Sequence, residues 1–280
     1  MTTTLEKPPS TKRRGRALVW IGGIVGAILL ADGAFALVSL ALYSDTDRAT
    51  STAEHSYDAA PTVELVADGD VTVASGGTQV LVTSIARTAL SSARYSADQS
   101  ADRLTVRHEC TSWWGSCSAS LRVAVPQGTD VVVRASDGHV RASGLVGSLD
   151  IRAGDGRVDV ATVAGPVAID ASDGVVDVRD VDGSVSIASG DGRLEVDGVT
   201  GDLGATVADG HVVVEAVSGN IDLEAGDGSV DVYGTGVPVA LDIRTDDGRQ
   251  VVDAPTDPGA DVHVSIVAHD GNVAYRGPRG

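Results

Sequence analysis

Residues 149–210 read LDIRAGDGRVDVATVAGPVAIDASDGVVDVRDVDGSVSIASGDGRLEVDGVTGDLGATVADG. Within this stretch an Asp-Gly pair recurs every 18 residues, and the same period continues on both sides without insertion or deletion. The pairs begin at Asp137, Asp155, Asp173, Asp191, Asp209 and Asp227. A fixed period of this size is typical of a solenoid, in which each repeat forms one coil and buries its apolar face against the neighbouring coils.

Apolar or small residues occupy six fixed places in each repeat, and the residues between them are rich in Asp, Glu, Arg and Ser. In the second repeat these places hold Leu149, Ile151, Ala153, Val158, Val160 and Val163. Alternation with a period of two predicts β-strands that have one buried and one exposed face. We therefore predict two short strands in each coil, with Asp-Gly at one corner and a second glycine, such as Gly165, at the other. Both corners need residues that tolerate a positive φ.

The scarcity of aromatic residues agrees with a thin interior. They make up 3% of the chain, and the predicted core places hold almost only Val, Ile, Leu and Ala. An antiparallel meander is the alternative, because Asp-Gly between alternating strands is also a strong hairpin signal. A meander does not require an invariant two-strand unit, so the sequence favours an all-β solenoid with coils of about 18 residues.

The repeat becomes irregular at both ends of the predicted solenoid, residues 61–280. The regular coils cover residues 129–236, and divergent coils are predicted for residues 237–280. A cap region at residues 61–128 starts with an early, divergent coil. Further Asp-Gly pairs stand at Asp68, Asp247 and Asp270. Terminal repeats of solenoids are expected to be atypical, because they must cover an open sheet edge.

The N-terminal segment has a different composition. A basic tail, residues 1–16, precedes an apolar run, residues 17–43, whose single charge is Asp32. The run exceeds the ~20 residues needed to cross a bilayer, and the preceding basic residues predict a cytoplasmic N-terminus and an external C-terminal domain. We therefore predict a single-pass protein of the cell membrane, with residues 44–60 as a flexible linker.

Three features of the apolar run bear on whether it is cleaved and on what it contacts. A cleaved signal peptide is the alternative, because Ala34-Phe35-Ala36 resembles a cleavage site, but the apolar run continues through Leu42. The close spacing of Gly22 and Gly26 would let two helices approach each other. Asp32 would be costly in the bilayer, and it is a second candidate for contact with a membrane partner.

The cysteines and the charge agree with export. Cys110 and Cys117, within CTSWWGSC, are the only cysteines, and outside the cytoplasm such a pair is most simply a disulfide. With only His108 nearby they would make a poor zinc site. Beyond Tyr43 the chain has 16 Arg, no Lys and 37 acidic residues, a net charge of −21. This charge excludes nonspecific binding to nucleic acid and disfavours attachment to an anionic lipid surface.

The segment SWWGSCSASLRVAVPQGTDVVVRASDGHVRASGLVGSLDIRAGDGRVDV, residues 112–160, resembles the DUF4097 family of β-strand-repeat proteins, which are common in actinobacteria and often labelled "putative adhesins". The cysteine pair, the Val125-Pro126 step and the glycine-punctuated repeat carry the resemblance, which covers about residues 60–276. It implies a right-handed, β-helix-like fold on the cell surface and no enzyme activity. Because some members accompany envelope-stress signalling proteins, it also implies a second functional class.

The aspartates of the Asp-Gly pairs are the first candidate for a ligand site. Coils lie ~4.8 Å apart in a solenoid, so these carboxylates should stack as a ladder that a cation could relieve. The candidate calcium ladder is Asp155, Asp173, Asp191 and Asp209. The simpler interpretation is that each Asp accepts turn N–H groups and is offset by basic residues two places later, such as Arg157 and Arg193. We favour this interpretation and predict no required cofactor.

Trp113 and Trp114, inside the cysteine loop, are the second candidate. They would either contact a sugar ring or protein partner, or cover the open sheet edge, and covering the edge is the stronger requirement.

No catalytic motif is present in the sequence, and coils this short leave no wall for a deep groove, so we predict no enzyme. The favoured function is an adhesin-like surface module that contacts an envelope polymer or a surface protein. The alternative is a signalling accessory that acts through a membrane partner.

Overall fold

The computed structural model describes residues 49–111 and 115–279 of the chain. It is all-β, and the described residues form sixteen strands joined in one sheet. The strands are β1 (Ala49–Tyr57), β2 (Thr62–Ala67), β3 (Val71–Ser75), β4 (Val80–Ala89), β5 (Ala93–Gln99), β6 (Arg103–Cys110), β7 (Ser116–Val125), β8 (Asp130–Ser143), β9 (Leu149–Ala164), β10 (Val167–Asp182), β11 (Val185–Val199), β12 (Leu203–Val217), β13 (Ile221–Tyr233), β14 (Ala240–Asp247), β15 (Gln250–Asp253) and β16 (His263–Arg276). Within the two ranges no helix is long and apolar enough to cross a membrane. The predicted anchor, residues 17–43, lies outside the described residues.

Strands β8 to β13 stack in parallel, one coil after another. Their pairing follows the sequence period, so that Ile169 in β10 lies beside Ile151 in β9 and Ile187 in β11. The Asp-Gly pairs of successive coils are aligned in the same way. Parallel pairing excludes the antiparallel meander and confirms the predicted all-β solenoid.

Each regular coil contains one long strand rather than the two short strands predicted from the sequence. Strand β10 passes through Asp173 and Gly174 without a break, and the chain leaves the sheet only at the other corner, near Gly165. The reason is that Gly174 turns the chain with a φ of +127° while it stays aligned with Gly156 and Gly192. Because the coils remain in register there, the sheet continues around this corner.

The predicted apolar places form the core. In β10 the buried residues at these places are Val167, Ile169, Ala171, Val176, Val178 and Val181. Ala153 and Ser189, at the place just before Asp-Gly in the neighbouring coils, are only partly buried. Burying a Val or Ile side chain contributes about 1.5–3 kcal/mol, so the stack is stabilised coil by coil. Tyr275 is the aromatic residue that enters this aliphatic core.

The last two coils do not stack in chain order. Strand β16 pairs with β13 and aligns Ile266 with Leu223, whereas β14 pairs with the other side of β16 and aligns Ile243 with Ile266. Residues 240–253, which come first in the chain, therefore form the outermost coil. Strand β16, which follows them, lies between that coil and β13. The inner coil carries the buried Tyr275, and the outer coil is rich in charged residues, which protect an exposed edge strand from further pairing.

The N-terminal coils are also out of chain order. Strands β2 and β3 stack directly on β8, with Leu65 beside Val133 and Val71 beside Val140. Strands β6 and β7 form the next coil outward, because β6 pairs with β2 and β7 with β3. Residues close in the sequence, such as those of β7 and β8, are thus separated in the stack by the coil of β2 and β3.

The interpretation of residues 44–60 as a flexible linker is wrong for Ala49–Tyr57. These residues form β1, which pairs antiparallel with β4 along its whole length. Seven of its nine residues are exposed, and only His55 and Tyr57 are partly buried, so the sequence has no apolar alternation that would predict the strand. Strand β5 pairs antiparallel with β6 on the other face of the same end.

Candidate functional site

The stacked aspartates of the Asp-Gly corner serve the backbone of the next coil. Oδ1 of Asp173 accepts a hydrogen bond from the backbone N–H of Asp191 at 3.1 Å, and Asp209 accepts one from Asp227 at the same distance. These N–H groups lie at the corner of the coil, and a side-chain acceptor satisfies them there. In the described ranges no group of three or more His, Cys, Asp or Glu side chains is placed to hold a metal ion.

The other corner uses the same arrangement. Oδ1 of Asp130 accepts hydrogen bonds from the backbone N–H of Ser148 at 2.8 Å and from its hydroxyl at 2.7 Å. These two bonds favour the carboxylate and lower the pKa of Asp130. Asp202 accepts a bond from the N–H of Asn220, 2.8 Å away. The acidic side chains at both corners are therefore parts of the scaffold.

The sequence suggested that the basic residues two positions after a stacked Asp offset the charge of the Asp ladder. In the structure Arg157 and Arg193 pair with other acids. Arg157 approaches Asp159 at 3.3 Å, and Arg193 approaches Glu195 at 3.5 Å. Both basic residues point to the same face of the sheet as these acids, because side chains two residues apart along a strand share a face. The ion pairs therefore lie beyond the corner, on the outer surface of β9 to β11.

One outward row on that surface contains three carboxylates in adjacent coils, Asp159, Asp177 and Glu195. Asp177 is only 6% exposed, and its Oδ1 has no hydrogen-bond partner in the described protein. Burial raises the pKa of the Asp177 carboxyl, and repulsion from the two neighbouring acids raises it further. Attraction from Arg179, whose guanidinium donates to Asp177 Oδ2, opposes the rise without cancelling it.

Asp159, at the end of this row, is held in its charged form. Burial alone would raise its pKa, but hydrogen bonds from His139 and Arg157 outweigh burial and leave the pKa below its ordinary value. The contact with His139 is short, 2.6 Å from Nε2 to the carboxylate, and Arg141 approaches the same oxygen at 3.3 Å. Asp159 thus marks the boundary between an acidic and a basic part of the same face.

The basic part surrounds a cavity of about 140 Å³ where β4, β7, β3 and β8 meet. Two outward rows of side chains line it, because residues two apart on each strand point the same way. The first row is Ser120, Asp70 and His139, and the second is Arg122, Thr72 and Arg141. Ile85 and Arg87 of β4 close one side.

The carboxylate of Asp70 lies in this cavity. Its Oδ1 accepts the backbone N–H of His139 at 3.0 Å, and the backbone N–H of Asp70 donates to the Ser120 hydroxyl at 3.1 Å. Arg87 and Arg122 form no ion pair with any described residue. The polar residues that line the cavity are thus three arginines, one aspartate, one histidine, one serine and one threonine.

Cys110 and Cys117 form the predicted disulfide, with their Cα atoms 6.0 Å apart. The bridge joins the end of β6 to the start of β7, at the corner of the coil they build. The N–H of Cys110 donates to Asp68 Oδ2 at 2.8 Å, which ties this corner to the Asp-Gly corner of the early coil. His108 is buried, and its Nδ1 lies 3.0 Å from the carbonyl oxygen of Ser120, so it contacts the backbone.

The remaining predicted contact residues lie outside the described residues. These are Trp113 and Trp114 in the cysteine loop, and Gly22, Gly26 and Asp32 in the apolar N-terminal run. The sequence did not reveal the basic cavity. Arg122 and Arg141 can be recognised in the sequence as basic residues at outward places. Their proximity cannot, because the strand between β7 and β8 is β3, which comes about 50 residues before β7 in the chain and carries Thr72.

Comparison with known proteins identifies one matching family and several solved structures of low sequence identity. The family model described as Toastrack DUF4097 matches residues 62–277. A solved "putative adhesin" from Bacteroides fragilis is 9% identical, with 82% of this chain and 98% of that chain covered and a TM-score of 0.34. One from Parabacteroides distasonis is 12% identical, with 82% and 98% covered and a TM-score of 0.33. No curated protein matches the chain.

Proposed function

The chain belongs to the Toastrack DUF4097 family, and from this premise we propose that it is a non-enzymatic, adhesin-like interaction module of the cell envelope. Its solenoid faces outward from the cell, and the apolar run at residues 17–43 anchors it in the membrane with the N-terminus in the cytoplasm. The disulfide between Cys110 and Cys117 supports a location outside the reducing cytoplasm. The strong negative charge beyond the anchor supports a solvated surface domain.

The observation that carries the proposal is the ordered outer surface of the stack. Strands β8 to β13 pair in register, so each outward place forms a straight row of side chains with a spacing of ~4.8 Å. Such a surface is regular, and its side chains are held by a rigid sheet rather than by loops. It suits the binding of an extended polymer or of a flat protein surface, and the Trp pair of the cysteine loop would add an aromatic contact.

Crosslinking in cells tests this function with the tagged full-length protein. We expect capture of wall polymer or surface proteins, with loss of capture in the Trp113→Ala/Trp114→Ala variant and retention when the membrane segment is replaced by a foreign one. Capture of a specific membrane protein that is lost with the foreign segment would contradict the proposal. That result would support the second candidate, a signalling accessory that contacts its partner through Gly22, Gly26 and Asp32.

A further inference from the structure

We infer that the basic cavity between β4, β7, β3 and β8 binds a hydroxyl-bearing organic anion, such as a sugar unit that carries a carboxylate or a phosphate. The inference rests on the proposed function and names the chemical class of its ligand. Three arginines, Arg87, Arg122 and Arg141, line this cavity in a domain whose net charge is −21 beyond Tyr43. In so acidic a domain an outward cluster of arginines is the natural place for an anion to bind.

Two of the three arginines, Arg87 and Arg122, have no acidic partner among the described residues and can act on a ligand. Arg122 and Arg141 stand one strand to either side of Thr72, which places their Cα atoms about 10 Å apart. Arg141 has only a 3.3 Å contact with Asp159. A guanidinium binds a carboxylate or phosphate through two parallel hydrogen bonds, so the unpaired Arg122 can hold the acidic group of a ligand, with Arg141 beside it.

Asp70 and the hydroxyl group of Thr72 select against a bare inorganic anion. One oxygen of Asp70 accepts the His139 N–H, and the carboxylate has further acceptor sites that face the cavity. An inorganic anion would be repelled by this charge, whereas a sugar hydroxyl can donate to it. The hydroxyl group of Thr72 adds a polar contact, whereas that of Ser120 is buried and accepts the Asp70 N–H. The lining thus matches a ligand with both an acidic group and hydroxyl groups.

The surroundings favour a single ligand unit over a membrane surface. The cavity, about 140 Å³, is smaller than the pockets of about 300–1,000 Å³ that enclose whole ligands, so it would take the acidic end of one unit while the rest of the ligand lies outside. Beside it on the same face lie the carboxylates of Asp159, Asp177 and Glu195, which would repel an anionic bilayer. One acidic unit of a flexible polymer, or the free molecule, can reach the arginines without approaching this acidic row.

Titration calorimetry of the full-length protein in a neutral detergent tests the inference. The probes are glucuronate and glucose 6-phosphate, with glucose and inorganic phosphate as comparisons. We expect both acidic sugars to bind, and both comparison molecules to bind at least tenfold more weakly, because each lacks one half of the recognised chemistry. Absence of binding by both acidic sugars, or equal binding of inorganic phosphate, would overturn the inference.

Variants assign any binding to the cavity. Arg122→Gln should weaken glucuronate binding about tenfold or more, whereas Arg107→Gln should leave it unchanged, because Arg107 is also exposed but lies on β6 outside the cavity. Asp70→Asn keeps an acceptor for the His139 N–H. It should weaken glucuronate and strengthen inorganic phosphate. Equal effects of the two arginine variants, or stronger glucuronate binding by Asp70→Asn, would contradict the assignment.

Two further measurements separate the inference from the alternatives. Sedimentation with phosphatidylglycerol vesicles should show no binding that depends on Arg122, and such binding would overturn the inference in favour of a lipid headgroup. Capture of envelope polymer in cells should fall in the Arg122→Gln variant. If capture persists in that variant, the cavity is not the contact, although the proposed function stands. If the wild type captures none while glucuronate binds, the proposed function fails and the cavity remains an anion site.

Discussion

The hydroxyl oxygens of Tyr57 and Tyr95 lie 2.8 Å apart, and their hydrogen bond joins the two edge strands of the N-terminal end. Tyr57 ends β1, which lies on the face of β4 and β7, and Tyr95 lies in β5, on the face of β6 and β2. The ring of His55 stacks on that of Tyr95 with centroids 4.2 Å apart. These aromatic side chains close the end of the aliphatic core, where stacking another coil would otherwise be needed to cover it.

We expect Tyr57→Phe and Tyr95→Phe each to lower the free energy of unfolding by about 1 kcal/mol, because each removes the same hydrogen bond and leaves one hydroxyl without its partner. The double variant should cost no more than one single variant. Chemical denaturation of the three proteins, followed by circular dichroism, measures this coupling. Strictly additive losses would show that the two hydroxyl groups act independently.

The glycine after each stacked aspartate is expected to be irreplaceable. Gly192 has a φ of +144°, and a Cβ built on it would lie 1.9 Å from the carbonyl oxygen of Gly174 in the preceding coil. Gly192→Ala should therefore destabilise the protein by about 3 kcal/mol, through backbone strain and a forced separation of two coils. Thermal unfolding measures the loss.

Gly204→Ala is the matched control for that substitution. Gly204 also lies in a strand of a regular coil, but a Cβ there meets no heavy atom within 4 Å, and its φ is outside the left-handed region. We expect stability to be unchanged or raised by about 0.5 kcal/mol, because alanine restricts the unfolded chain. Equal destabilisation by both alanines would show that the close approach of the coils is not what requires glycine.

Asp177 should make the protein less stable as the pH rises. Burial raises its pKa in the folded protein above the ordinary value of 3.8, so folding favours the protonated form. The favourable contribution is complete below pH 3.8 and is lost as the pH rises through the raised pKa. Asp177→Asn should thus be more stable than the wild type at pH 7, and the difference should shrink as the pH falls towards 3.8.

Denaturation of both proteins between pH 3.5 and pH 7.5 gives the pH profile. Asp170→Asn serves as the control, because Asp170 is in the same coil, is exposed and forms no ion pair within the described ranges. Replacing this exposed side chain should change the stability at pH 7 by no more than about 0.5 kcal/mol. A lower stability of Asp177→Asn at pH 7 would mean that attraction from Arg179 outweighs the burial of the charge.

The disulfide is expected to stabilise the N-terminal coil. Cys110 and Cys117 are seven positions apart, and closing so short a loop restricts the unfolded chain by about 2 kcal/mol. The Cys110→Ser/Cys117→Ser variant should unfold at a lower temperature than the wild type and should not respond to dithiothreitol. A wild type whose unfolding temperature is the same with and without the reductant would contradict this prediction.

The regular repeats could be predicted because each coil uses the same residues for the same purpose. Apolar alternation places Val176 and Val178 inside, and the Asp-Gly pair turns the corner, so sequence period and structure coincide. The cavity could not be predicted, since it needs Thr72 to lie between Arg122 and Arg141. That neighbourhood depends on parallel pairing between strands far apart in the chain, which leaves no local pattern in the sequence. Strand β1 could not be predicted either, because only His55 and Tyr57 near its end are partly buried, too few residues to give an apolar alternation.

The order of the last coils can be tested with one pair of substitutions. Ile266 in β16 is fully buried between β13 and β14, whereas Ile243 in β14 is partly buried at the open end. If the coils stacked in chain order, Ile243 would be the inner residue and Ile266 the outer one. The structure therefore predicts that Ile266→Ala costs about 3 kcal/mol and Ile243→Ala about 1 kcal/mol, because only the first leaves a cavity in a closed core. Denaturation of the two variants measures both losses, and the reverse ranking would show that β14, not β16, packs on β13.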